Sequence, residues 1–103
     1  MPSTQAYLPV EGIIQQLRQE LPHLRDQYAV DHLAIFGSYA RNAQNQASDL
    51  DILVAFRVIP GLLKYIALEQ HLSDLLGVPV DLVMESALRP EIAAHVSLER
   101  KLV

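Results

Sequence analysis

An α/β fold is predicted by three observations. Three short apolar runs, 31–36, 50–56 and 79–84, are each bounded by turn or polar residues and read as strands. Between the second and third lies a leucine-rich stretch of helical spacing, 62–76, long enough for a crossover. Half of the 103 residues are apolar, which gives one compact domain a core.

The elements follow in order. Residues 1–9 are polar with two prolines and are expected to form a loose arm, with a single domain over 10–103. Ile13, Ile14, Leu17 and Leu21 recur at helical spacing from Val10. Pro22 is expected to end or kink that helix, because its ring clashes with the preceding turn, and a second helical piece runs through Leu24 and Tyr28. Strand 31–36 stops at Gly37 and Ser38. Asn42, Asn45 and Ser48 alternate with Ala40, Ala43 and Ala47, which predicts a short helix from Ser38 and then a loop. Pro60-Gly61 marks a turn after the second strand, and Gly77 caps the helix 62–76. Glu85 and Ser86 break the third strand, and a closing helix spans Leu88 to Val96 with Pro90 near its first turn.

Composition excludes several classes of function. The formal charge is −4, and eight Lys and Arg are spread along the chain. Affinity for nucleic acid is driven by a basic patch, so a long template is not expected as a partner. Without cysteine there are no disulfides or thiolate metal sites. Neither a signal-peptide pattern nor a run of about 18 apolar residues is present, so a soluble cytoplasmic protein is expected.

The chemistry concentrates in one segment. Gly37-Ser38 is followed after ten residues by Asp49-Leu50-Asp51 at the start of the second strand. On a strand, Asp49 and Asp51 share a face while Leu50 and Ile52 enter the core. Two carboxylates so close repel, and a divalent cation between them relieves this; Mg²⁺ is commonly held by such carboxylates together with substrate phosphates. By itself, Asp-x-Asp also fits a solvated strand start. Gly37 lets backbone approach a phosphate, and Ser38 offers an N–H and a hydroxyl; an ordinary strand-to-helix turn with a Ser N-cap has the same sequence. Arg41, one turn on, is within reach of a triphosphate or is simply solvated. Asp81 interrupts the apolar Val80-Asp81-Leu82-Val83-Met84. A charge buried there needs a partner, which a shared metal would supply; an edge-facing or salt-bridged Asp is the alternative. His23, His32, His71 and His95 lack metal-ligand spacing along the chain, and Tyr7, Tyr28, Tyr39 and Tyr65 form no stacking platform.

Taken together, Ala-Ile-Phe-Gly-Ser-Tyr-Ala-Arg, Ser-Asp-Leu-Asp-Ile-Leu-Val and Val-Asp-Leu-Val resemble the minimal nucleotidyltransferases of the DNA polymerase β-like superfamily, over residues 10 to 100. The resemblance implies a small mixed sheet backed by helices, an α+β variant of the predicted class, with a carboxylate triad on one exposed face. It implies ATP as substrate and Mg²⁺, as two ions. Gly37 and Ser38 would hold the β- and γ-phosphates, Asp49 and Asp51 would ligate metal, and Asp81 would complete the triad and help activate the acceptor. Asn42 stands where many relatives have Gly, and Asn tolerates the same left-handed backbone. Stand-alone members of this size resemble antitoxins paired with a HEPN-domain ribonuclease toxin, which they silence by moving AMP from ATP to a toxin tyrosine. Neutralisation by complex formation, and transfer to a small molecule or an RNA end, are the competing readings.

Overall fold

In the computed structural model, which describes residues 9–41 and 49–103, helix α1 runs over Val10–Tyr28. Val10, Ile13, Leu17, Leu21 and Leu24 recur three or four residues apart, and all five are buried. Pro22, expected to end or kink the helix, does not end it, and α1 is one element through it. An interior proline costs about 3 kcal/mol. Leu21 and Leu24 on either side of it are buried under the same sheet, at about 1.5–3 kcal/mol each, which holds the two turns together. Ala29 ends the helix in the left-handed conformation, with its N–H on the Leu24 carbonyl. Most of the expected arm, and residues 42–48 with the short helix and loop expected there, lie outside the described residues.

Strands β1 (Val30–Phe36), β2 (Leu50–Phe56), β3 (Val80–Met84) and β4 (Lys101–Leu102) form one mixed sheet in the order β3-β2-β1-β4. β1 is antiparallel to β2, and β3 runs parallel to β2 after the crossover through α2 (Leu62–Leu76). A short 3₁₀ turn, Glu85–Ala87, leads to α3 (Pro90–Glu99), three residues longer at its C-terminus than expected. β4 pairs antiparallel with Ala34 and Ile35 of β1. Its two exposed residues are too few for any periodicity, so only the partner strand defines it.

The sheet has two unequal faces. Leu33, Ile35, Leu50, Ile52, Val54, Val80 and Leu82 pack against α1 and against Leu68, Leu72 and Leu76 of α2, forming the main core. The opposite face carries a small cluster of Ala34 and Leu53 against Val96 of α3, flanked by Phe36, Val83 and Leu88. Positions 51 and 81 belong to this second face by alternation. Helix α3 leaves them uncovered: Asp51 is half-buried and Asp81 exposed.

Candidate active site

β1 delivers the chain to Gly37 at the sheet margin, and Gly37 takes φ +74°. Residues 37–41 form a turn closed by the Arg41 N–H on the Gly37 carbonyl, 3.2 Å. This turn stands where the described part of the expected helix from Ser38 would be. Tyr39 is 1% exposed and anchors the turn in the main core. Burial first, and Asp49 second, push its phenol above the usual range. Ser38 is half-buried and Arg41 exposed, so both lie at the rim of the same turn.

Register places the carboxylates. Phe36 is paired with Asp51, so the turn that begins at Gly37 passes over the Asp51 side chain. A Cβ on Gly37 would lie 2.2 Å from Asp51 Oδ2 and 3.1 Å from its Cγ. Glycine is therefore required twice, for the positive φ and for this close approach. Across the parallel ladder Asp51 is paired with Asp81, on strands about 4.8 Å apart. Asp49 immediately precedes β2, and the Leu50 N–H bonds the Pro79 carbonyl at 2.8 Å, which fastens the starts of β2 and β3 together.

The electrostatics follow from this crowding. Burial raises the Asp51 carboxyl above the usual range, Asp81 and Asp49 raise it further, and Arg41 opposes them. Three of the predicted site residues thus act on the carboxylate of a fourth. The donor set is all oxygen, negatively charged and open on one side, which fits a divalent cation of the Mg²⁺ type. Asp81 differs from expectation in its burial. β3 is the sheet's edge strand, and Val80 and Leu82 turn into the core while Asp81 faces outward.

Three further residues hold this strand and carry no motif. Tyr65, Glu69 and Ser73 recur every fourth residue along one face of α2. Ser73 Oγ accepts from the Val80 N–H at 3.1 Å, and Glu69 Oε2 accepts from the Leu82 N–H at 2.9 Å. The Tyr65 hydroxyl donates to the Leu82 carbonyl. Burial, then Glu69, then Asp81 raise the Tyr65 phenol. The outward-facing groups on either side of Asp81 are therefore fixed by the crossover helix. Their four-residue recurrence is hidden in the sequence, because Lys64, Gln70, His71 and Asp74 are polar on the same helix.

The family described as nucleotidyltransferase domain matches residues 13–103. The protein adenylyltransferase MntA of Thermococcus cleftensis is 46% identical over 94 residues, covering 91% of this chain and 95% of that one. A protein of Methanocaldococcus jannaschii, assigned as a protein adenylyltransferase, is 52% identical over 73 residues, 71% of this chain and 74% of that one. Among solved structures, one assigned as a minimal nucleotidyltransferase superposes with TM-score 0.76 at 33% identity, over 93% of this chain and 97% of the other. A toxin–antitoxin structure with AMP-PNP superposes with TM-score 0.67 at 27% identity, over 92% of this chain and 72% of the other. Sequence and sheet agree over nearly the whole chain, and it belongs to the nucleotidyltransferase domain family, as a minimal nucleotidyltransferase of the DNA polymerase β-like superfamily.

Proposed function

We propose that this nucleotidyltransferase is an antitoxin that moves AMP from ATP to a tyrosine of a HEPN-domain ribonuclease toxin. The observation that carries this reading is Asp51, which lies against Gly37, is paired with Asp81 across β2 and β3, and feels the charge of Asp49 just before β2, on a sheet face that α3 leaves open. An open face suits an acceptor that arrives on another folded protein. The relative MntA is named a protein adenylyltransferase, and the neighbour with AMP-PNP is a toxin–antitoxin structure. Val58, Ile59, Leu62, Leu63 and Ile66 at and before the start of α2 are exposed, Leu63 by 84%, which also supports a protein partner.

In this reading the Gly37 and Ser38 N–H groups and the Ser38 hydroxyl donate to the β- and γ-phosphate oxygens, and Arg41 offsets their charge. Asp49 and Asp51 hold Mg²⁺, with Asp81 completing the set, and the bound metal supplies charge neutralisation at the triphosphate and the leaving group. The tyrosine oxygen attacks the α-phosphorus, the bond to the bridging oxygen breaks, and pyrophosphate departs. Asp81, the most exposed strand carboxylate of the set, accepts the tyrosine proton.

Intact mass of the toxin after incubation with this protein, ATP and Mg²⁺ tests the reading. One or more added AMP units, absent with the Asp49→Ala/Asp51→Ala variant, is the expected result. An unmodified toxin that is still inhibited in a stable complex would replace it with neutralisation by binding.

Tyr65 and Glu69 are expected to act as positioning residues. Tyr65→Phe and Glu69→Ala each remove one hydrogen bond from the Leu82 peptide, at about 1 kcal/mol of stability. Transfer should fall about tenfold, through weaker apparent affinity for Mg²⁺ with nucleotide affinity unchanged. Destabilised variants with wild-type Mg²⁺ dependence would show a merely structural role.

A further inference from the structure

A second cluster of ligating side chains lies among the helices, across the sheet from the carboxylates. Glu20 and His23 are one turn apart on α1, and His71 faces them from α2. Their ligand atoms all lie within 4.8 Å of one another. His71 Nε2 is 2.7 Å and His23 Nε2 3.9 Å from the same atom, Glu20 Oε2. The two imidazole rings are 5.5 Å apart, and the Tyr28 ring stacks on His71 at 6.1 Å and meets His23 edge-on at 6.4 Å. One aromatic ring thus orients both imidazoles.

The geometry points to a transition-metal site, of the Zn²⁺ class, that staples α1 to α2. Two imidazole nitrogens and one carboxylate oxygen are a donor set that favours Zn²⁺ over Mg²⁺. Four-coordinate zinc with ligands at about 2.0–2.1 Å needs donor atoms about 3.4 Å apart. His71 and Glu20 are already inside that spacing, and His23, 50% exposed, has room to swing in. Glu20 is 24% and His71 33% exposed, so the cluster is open on one side and water fills the fourth position. Metal binding replaces the His71 Nε2–Glu20 Oε2 hydrogen bond, since a ligating imidazole nitrogen carries no proton. Because α2 also clamps β3 through Tyr65, Glu69 and Ser73, the metal ties the whole crossover to α1. It touches none of Asp49, Asp51 and Asp81, so its effect is on stability.

Co²⁺ reports on the site directly. The full chain is titrated with Co²⁺ in a large excess of Mg²⁺, which competes for the all-oxygen carboxylate site. One equivalent is expected to give the visible absorption of four-coordinate cobalt, to be displaced by Zn²⁺, and to raise the melting temperature. His23→Ala, a half-exposed position where folding is unaffected, should weaken Co²⁺ affinity by more than about tenfold, and His71→Ala likewise. Asp49→Ala/Asp51→Ala should leave the absorption unchanged. No visible band, or a band that persists in His23→Ala and disappears in Asp49→Ala/Asp51→Ala, would overturn the assignment.

Discussion

Asp51→Asn should lower nucleotide transfer by about 10³-fold or more while stabilising the metal-free protein. The loss corresponds to about 4 kcal/mol of transition-state stabilisation, within what one metal-clamping carboxylate supplies. The gain has a separate origin. Burial and the neighbouring Asp81 and Asp49 raise the Asp51 carboxyl in the folded chain. A carboxylate raised on folding contributes stability below its unfolded value, about pH 4, and that stability is lost as pH rises through the folded value. At neutral pH the wild type therefore carries the cost of a desolvated charge, and a repulsion from Asp81 and Asp49, that Asn removes. Mg²⁺ should reverse the order, stabilising the wild type and leaving the variant unchanged. Thermal melts across pH, with and without Mg²⁺, read both effects. Equal melting temperatures at neutral pH without metal, or transfer within tenfold of wild type, would contradict this account.

Gly37→Ala should be nearly as damaging, by a steric route. An L side chain in the left-handed region costs about 1–2 kcal/mol. The added Cβ would also sit 2.2 Å from Asp51 Oδ2, so the carboxylate must leave its place. A displacement near 1 Å at a reacting centre costs about 10²-fold in rate, which sets the expected loss of transfer. The two contributions separate in a double-mutant cycle. In an Asp51→Ala background the clashing oxygen is gone, and Gly37→Ala should destabilise only by the backbone part. Strict additivity of the two substitutions would show that the close approach to Asp51 has no energetic weight.

The sequence makes the local parts of this site legible and conceals the parts that depend on packing. Gly37, Asp49 and Asp51 stand close together in one hairpin, so strand alternation and turn chemistry predict their neighbourhood directly. The strands 50–56 and 80–84 and the helix 62–76 are also read within a residue, because each has a clear period and a terminating residue. Asp81 is legible as a chemical partner but not in its burial, since nothing local tells an edge strand from a central one. Pro22 misleads for the reverse reason, because the leucines that override it act through the sheet beneath. The Glu20–His23–His71 group joins two helices distant in sequence and has no spacing to detect. Tyr65, Glu69 and Ser73 fail to stand out because their partners are backbone groups, which carry no sequence signal.

The clamp on β3 also governs how the protein behaves in a crowd. An open edge strand is a template on which other chains polymerise. Here an incoming strand would first have to strip away the hydrogen bonds that Tyr65, Glu69 and Ser73 make to β3. At the other margin β4, with the Val103 N–H on the Leu33 carbonyl, occupies the middle of β1. Strand-on-strand fibre growth is thereby obstructed at both margins, while the apolar surface at the start of α2 stays open to association. Solubility at high concentration should accordingly respond to charge introduced at Leu63, 84% exposed, far more than to any change along the strands.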